Sequence, residues 1–290
     1  MIGLAGDWKD YEVIETGDGM KLERFGSVTL LRPDPQIIWG APFDLEKYPG
    51  LNAVYRRSKS GGGSWEYLKR VPEEFNIGWR DLKFSLKLMG FKHTGIFPEQ
   101  AYNWSKMREL IAAAATSGRA VKVLNLFAYT GGASVACAKE GAEVTHVDAA
   151  KAMCERAGKN AVLSGLGPKA MRYIVDDCMK FVEREIRRGN RYDAVIMDPP
   201  SYGRGPKGEI WKLEDTVFDF VKRTVMLLSD NPLFFLINSY TTGLQPTVMK
   251  NVIDIALNGI GSTEAYELAL PTGRKNVVLP SGASAFTHFE

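Results

Sequence analysis

Two patterns of apolar and polar positions divide the 290-residue chain. From Trp8 to about Phe97, short alternating runs such as "YEVIETGDGMKLERFGSVTLLRP" and "KFSLKLMGFKHTGIFP" are separated by Gly, Pro and Asp clusters, the pattern of antiparallel hairpins. "ETGDGMKLERFG" holds the clearest turn, and "RRSKSGGGSWEYLKR", with its three consecutive glycines, reads as a flexible loop tip. From Glu99 the period lengthens. "EQAYNWSKMRELIAAAA" is a helix by periodicity and alanine content. After it, strand patterns at about 121–127, 143–147, 170–175, 192–197 and 232–238 alternate with helical ones at about 132–140, 150–164, 178–188, 213–228 and 246–258. That order predicts a parallel sheet covered by helices on both faces. Two final extended runs, "STEAYELAL" and "NVVLPSGASAFTHF", are joined only by a Pro-Thr-Gly turn region and predict a terminal antiparallel hairpin. The expected organisation is an N-terminal antiparallel β region at 1–98, a candidate for substrate binding, and an α/β domain at 99–290.

In a doubly wound sheet, ligands bind at the carboxyl ends of the strands, where the strand order reverses. The first such end reads "VLNLFAYTGGASVACA", an apolar run followed by Thr130-Gly131-Gly132 and a helix. Glycines there let backbone approach a ligand, while the helix start offers N–H groups. The second ends at Asp148, from which a carboxylate can accept both hydroxyls of a ribose. The third ends at Asp176-Asp177-Cys178, where a side chain can meet a purine edge. A dinucleotide fingerprint is excluded by spacing, because Tyr129, Thr130 and Ala133 stand where GxGxxG wants small residues.

The fourth end is "VIMDPPSY", a strand closed by Asp198, Pro199, Pro200 and, two residues on, Tyr202. This resembles the arrangement of amino-group methyltransferases. An exocyclic base amine is a poor nucleophile because its lone pair is delocalised into the ring. Asp198 and the Pro199 carbonyl can accept its two hydrogens and free that lone pair, the prolines limiting backbone freedom, while Tyr202 stacks on the base.

Taken together, "LNLFAYTGGASVACAKEGAEVTHVDAAKAMCERAGKNA", "YIVDDCMKFV" and "YDAVIMDPPSYGRG" resemble the class I S-adenosylmethionine-dependent methyltransferases, and more narrowly the bacterial group of the large-subunit ribosomal RNA cytosine carbon-5 methyltransferase. "KHTGIFPEQAYNW" resembles that group's Thr-Gly-x-Phe-x-Asp-Gln segment, which implies a place for Gln100 in the cofactor pocket. The resemblance implies a seven-stranded Rossmann-like α/β sheet of order 3-2-1-4-5-7-6. It implies that Phe127, Tyr129, Thr130, Gly131 and Gly132 surround the methionine part of S-adenosyl-L-methionine, that Asp148 holds the ribose, and that Asp177 meets the adenine amino group. Two departures stand out. The group's N-terminal PUA domain has no counterpart, and its catalytic cysteine after the fifth strand is replaced by Asn238, Ser239 and Tyr240. Carbon-5 methylation needs a thiolate to attack the ring, so direct transfer to nitrogen or oxygen is expected instead.

Composition adds less. With 45% hydrophobic and 24% charged residues the chain is ordinary globular material. Three cysteines in no ligand spacing, and no basic-apolar leader or long apolar window, suggest a cytoplasmic protein without a membrane span. His93, His146 and His288 show no metal spacing, so no metal is expected. Net charge is +3, but Arg56 to Lys92 carries nine basic residues against four acidic, whereas residues 1–50 carry five against nine. That local excess, and a loop "SYGRGPKGEIWK" whose Arg204 and Lys207 suit a phosphate-bearing substrate, make RNA, ribosomal RNA favoured, the expected partner. The alternatives are a protein or small-molecule methyltransferase on the same cofactor site, and an RNA or ribosome assembly factor without transfer activity.

Overall fold

The computed structural model describes residues 1–58, 62–90, 92–167, 169–204 and 210–289. The chain divides into two compact units, one of Leu4–Ala101 with Ala269–Pro280 and the other of Met1–Gly3, Tyr102–Leu268 and Ser281–Glu290. The first strand is β1 (Ile2–Leu4).

The N-terminal unit continues with β2 (Tyr11–Gly17), β3 (Met20–Phe25), β4 (Val28–Pro33), β5 (Ala53–Arg57) and β6 (Gly63–Tyr67), which form one sheet in that order, and with the separate hairpin of β7 (Phe75–Trp79) and β8 (Leu82–Leu86). Asp18 and Gly19 both have positive φ (51° and 74°), the backbone a two-residue hairpin needs to match strand twist, and so join β2 to β3. The region is not wholly antiparallel as expected. β4 and β5 run parallel, Leu30 beside Ala53 and Leu31 beside Val54, because residues 34–52 return the chain across the sheet with only a short 3-10 turn at Leu45–Lys47. Strand alternation then sorts the side chains. Leu22, Leu31 and Val54 lie on one face and build a small core with Leu45 and Leu51. The registers put Tyr11, Lys21, Glu23, Arg32, Tyr55, Arg57, Trp65 and Tyr67 on the other.

On that second face Glu23 is fully buried. Arg32 grips it through two bonds (Nε to Oε2, 2.7 Å; Nη2 to Oε1, 2.8 Å), and the Tyr11 hydroxyl donates to Oε1 at 2.7 Å. Burial alone would raise the Glu23 pKa. The Arg32 charge, with Lys21 and the two hydrogen-bonding partners, overcomes that and holds it down at about 2.

The second unit holds helix α1 (Ala101–Thr116), entered through a turn with Pro98 at its start, then β9 (Lys122–Leu126), α2 (Gly132–Lys139), β10 (Glu143–Asp148), α3 (Lys151–Leu163), β11 (Met171–Val175), α4 (Cys178–Arg188) and β12 (Ala194–Met197). It continues with β13 (Tyr202–Arg204), β14 (Ile210–Lys212), α5 (Leu213–Val225), β15 (Phe234–Ser239), α6 (Pro246–Ala256), β16 (Ser262–Pro271) and β17 (Val278–His288). The main sheet runs β1-β16-β17-β15-β12-β9-β10-β11. Strands β11, β10, β9, β12 and β15 are parallel, and β17 is antiparallel to β15. Eight strands stand where seven were expected, because Ile2–Leu4 adds β1 beside β16.

All four residues of β12 are buried, as a central parallel strand requires. Leu124, Leu126, Val195, Met197, Phe220 and Phe235 share one core, each contributing roughly 1.5–3 kcal/mol by leaving water. "SYGRGPKGEIWK", expected as a loop, instead begins and ends in a two-stranded ladder that pairs Tyr202 with Lys212 and Gly203 with Trp211. The chain steps outward from β9 to β10 and β11 and then crosses to β12 on the other side of β9. The switch point therefore lies between β9 and β12.

Candidate functional site

The turn after β9 is pinned at nearly every residue. Phe127 N–H donates to the Cys178 sulfur (3.3 Å), Ala128 N–H to the Val147 carbonyl (3.0 Å), and Tyr129 N–H to Asp148 Oδ2 (2.8 Å). The Thr130 carbonyl accepts from Asn160 Nδ2 at 2.9 Å. To meet these partners Phe127 and Tyr129 take left-handed backbone, with φ of 55° and 50°, a conformation that costs a non-glycine residue on the order of 1–3 kcal/mol and clusters at functional sites. Nothing in their side chains signals it.

Gly131 and Gly132 open α2, but their missing side chains serve packing. A Cβ on Gly131 would come within 2.7 Å of the Ala157 Cβ, and one on Gly132 within 2.6 Å of the Trp104 ring. Gly131 also has φ 82°, which only glycine adopts freely. Behind the turn, Asn125 Nδ2 donates to Ser134 Oγ (2.8 Å), which lies 3.0 Å from His146 Nδ1, a buried chain tying β9, α2 and β10 together. Burial pushes His146 down to about 4, so the chain is neutral at ordinary pH.

Asp148 is half-buried at the end of β10. Its Oδ1 accepts the Ala150 N–H and its Oδ2 the Tyr129 N–H, both at 2.8 Å, and no Lys or Arg pairs with it among the described residues. Burial raises its pKa and the two N–H donors only partly counter this. A carboxylate has about four acceptor sites, so each oxygen keeps room for a hydroxyl donor. Asp177 is exposed and caps α4, its Oδ1 accepting the Lys180 N–H at 2.9 Å. Gln100, buried in the turn Pro98–Gln100, belongs to the N-terminal unit. In the same segment the Thr94 hydroxyl is buried without a partner among the described residues, a group that a polar ligand atom would satisfy.

The end of β12 is tied to β9 by Asp198 N–H, which donates to the Leu126 carbonyl at 3.4 Å. Pro199 is buried, Pro200 exposed, and Tyr202 50% exposed. Trp211, which the sequence offered only as a loop aromatic, links both strand ends. Its indole N–H donates to the Pro200 carbonyl (2.7 Å), and its ring lies 5.8 Å from Phe127 and edge-on to Phe220 at 5.9 Å. Arg204 ends β13 opposite Ile210, and Lys207 lies outside the described residues.

Beside Tyr202 a cavity of about 400 Å³ is lined by Ser201, Tyr202, Lys212, Glu214, Tyr240, Thr241 and Thr242. Thr241 Oγ1 donates to Ser201 Oγ at 2.7 Å, joining the ends of β12 and β15. Lys212 belongs to the basic loop read from the sequence, whereas Tyr240 and Glu214 were not foreseen as site residues; only the fold brings 240 next to 202. All three cysteines are buried, and burial raises the thiols of Cys137 and Cys178 far above their ordinary value. Among the described residues no three His, Cys, Asp or Glu side chains gather to hold a metal, and no helix is long and apolar enough to cross a membrane.

This arrangement, a strained turn after β9, a carboxylate at the end of β10 and Asp-Pro-Pro at the end of β12, lies within residues 48–241. That span matches the family model described as S-adenosylmethionine-dependent methyltransferase. The chain belongs to this family. The methyltransferase is 27% identical over 235 residues to the ribosomal RNA large subunit methyltransferase K/L of Colwellia psychrerythraea, covering 78% of this chain and 31% of that protein. It is 25% identical over 232 residues to the ribosomal RNA large subunit methyltransferase K of Neisseria meningitidis serogroup B, covering 77% of this chain and 64% of that one. The chain therefore spans less than two thirds of these curated relatives. The crystal structure of an S-adenosylmethionine-dependent methyltransferase from Agrobacterium tumefaciens superposes with a TM-score of 0.92 at 31% identity, covering 100% of this chain and 94% of the other. The methyltransferase thus uses S-adenosylmethionine as methyl donor.

Proposed function

We propose that this methyltransferase acts on RNA, ribosomal RNA in particular, by direct methyl transfer to a base nitrogen, and that it works in the cytoplasm. The observation that carries the reading is the cavity beside Tyr202, in the segment that follows Asp198. It has two tyrosines and both a cation and an anion on its wall, and no thiol among its lining residues. The names of the ribosomal RNA methyltransferases it resembles support the substrate class.

Bound S-adenosylmethionine supplies a methyl group made electrophilic by its sulfonium. The residues of this chain fit that donor: Phe127, Tyr129, Thr130, Gly131 and Gly132 form the turn that holds its amino-acid end, Asp148 accepts the ribose hydroxyls, and Asp177 receives the adenine amine. Asp198 and the Pro199 carbonyl each accept one hydrogen of the target amine, which turns the nitrogen lone pair out of conjugation. Asp198 then takes the proton that the amine sheds. Tyr202 stacks on the base, and Arg204 and Lys207 take phosphate. With Asn238, Ser239 and Tyr240 at the end of β15 and every cysteine buried, no thiolate is available to form a ring adduct.

The test is transfer of label from methyl-tritiated S-adenosylmethionine to total RNA and, separately, to total protein of cells lacking the enzyme. The expected outcome is one labelled nucleoside with the methyl on nitrogen, and a loss of about 100-fold in rate for Asp198→Ala with cofactor affinity kept. Label in protein, or on a ring carbon, overturns the reading.

A further inference from the structure

The basic residues of the run from Arg56 to Lys92 do not stay together in the fold. Arg56 points to the leucine-bearing face of the N-terminal sheet and pairs with Glu46 (2.5 Å) and Glu66 (2.8 Å); Lys87 pairs with Glu73 and Arg80 with Asp7, each at 2.8 Å. Lys59 lies outside the described residues. Of the others, the Lys69 ammonium donates to the Pro49 carbonyl, while Arg57 and Lys92 come together on the opposite face. Arg57 is exposed there and has no ion pair among the described residues. Lys92 arrives from a tight hairpin, closed by Lys87 N–H to the Thr94 carbonyl (3.0 Å) and Met89 N–H to the His93 carbonyl (3.1 Å). Its backbone carbonyl accepts from Arg32 Nη1 at 2.8 Å, and among the described residues its ammonium donates to the Pro33 carbonyl at 3.2 Å. Lys21 joins from β3, outside the basic run, and pairs with Asp34 at 3.3 Å.

These cations feel one another. Burial, and then the charges of Lys21, Arg32 and Arg57, push the Lys92 ammonium down to about 8, with Asp34 giving partial relief. Arg32 is already taken up by Glu23. Two or three positive charges drawn from β3, β5 and a separate hairpin are thus held close with too little negative charge beside them, which an anion would correct. The same face carries two aromatic rings two residues apart on the edge strand β6. Trp65 is anchored by its indole N–H to the Met89 carbonyl (2.8 Å) and lies edge-on to Tyr55 at 5.3 Å, whereas Tyr67 is 59% exposed.

We infer that this edge of the N-terminal sheet is a docking surface for single-stranded RNA, with Lys21, Arg57 and Lys92 taking phosphates and Tyr67 stacking on a base. Cations beside an exposed aromatic ring match a polynucleotide strand, whose charge repeats along the backbone and whose every base offers a π-face. An acidic peptide would use the cations and leave the ring idle. The inference rests on RNA being the substrate class, and adds where the N-terminal unit grips it.

The experiment is fluorescence anisotropy of the full chain with a 5′-fluorescein single-stranded RNA of about 20 mixed nucleotides, titrated at about 50 and about 200 mM salt. The double variant Arg57→Ala with Lys92→Gln is expected to bind about 10-fold or more weakly and to flatten the log–log salt slope by about 1.4, two contacts at about 0.7 each. Tyr67→Ala is expected to lose about fivefold or more. Arg56→Ala, one residue away on the other face, should bind as the unaltered protein does, and a cooperative thermal transition well above the assay temperature for each variant shows that the fold is kept. If the unaltered protein binds and the double variant binds equally well with the same salt slope, the surface is wrong while the RNA reading stands. If the unaltered protein binds no RNA, both fall.

Discussion

Glu23 in the N-terminal sheet and Asp148 at the end of β10 are both carboxylates drawn out of water, and they are shifted in opposite directions. Glu23 lies under Arg32, Lys21 and Tyr11 and is held down at about 2. Among the described residues Asp148 is held by two backbone N–H groups, and burial raises it. The difference separates structure from function. A buried carboxylate saturated by a guanidinium has spent its acceptor sites and fixes the strands around it. One held only by the backbone keeps acceptor sites and an uncompensated charge, so a ligand that donates hydrogen bonds is stabilised there and in turn stabilises it.

Three experiments press on that contrast. The largest effect is expected from Glu23→Gln, which leaves Arg32 buried without its counter-charge and should cost about 3–5 kcal/mol in urea unfolding. The pH dependence carries the same information. Because the folded value of Glu23 lies below its ordinary 4.5, its contribution is complete above that pH and is lost as pH falls toward about 2. That loss amounts to about 3 kcal/mol, and the variant should lack it. Equal acid sensitivity of variant and parent would break the comparison. Next, Asp148→Asn should weaken S-adenosylmethionine binding by about 10-fold or more, about 1.4 kcal/mol. It should change unfolding free energy by less than about 1 kcal/mol, since loss of one backbone hydrogen bond opposes relief of a buried charge. For Asp148, raised in the fold, the sign is reversed: its favourable share is complete below the ordinary carboxylate value and is lost as pH rises through the folded one. A calorimetric titration beside a denaturation curve reads both quantities. The smallest effect belongs to Arg56→Ala, whose partners Glu46 and Glu66 are half-exposed; about 1 kcal/mol or less should be lost.

Much of the methyltransferase sheet was legible because each parallel strand is an apolar run ending in a polar residue. Asp148 and Asp198 announced themselves by interrupting such runs. Gly131 and Gly132 were legible as a turn, and the structure adds a packing need that nothing local showed: their bare α-carbons make room for Ala157 and Trp104. Phe127 and Tyr129 gave no sign of left-handed backbone, since that conformation is imposed by partners on β10, α4 and α3. Tyr240 beside Tyr202 is a product of strand order alone. The burial of Glu23 and Arg32 was not legible, because nothing local in β3 or β4 reveals that the two side chains pair away from water. The parallel pairing of β4 with β5 was hidden in residues 34–52, which lack the helix that usually marks such a crossover.

The strand that sequence reading missed has a consequence of another kind. A sheet edge is an invitation to aggregate, because its unpaired N–H and carbonyl groups accept a strand from any passing chain. Here β16, ten residues long, is flanked by β1, three residues long, with the Glu267 N–H donating to the Met1 carbonyl at 3.1 Å and Gly3 set close against the Tyr102 and Tyr266 rings. Residues Ile2–Leu4 therefore work as a selvedge along part of β16, closing that stretch of its border to another molecule.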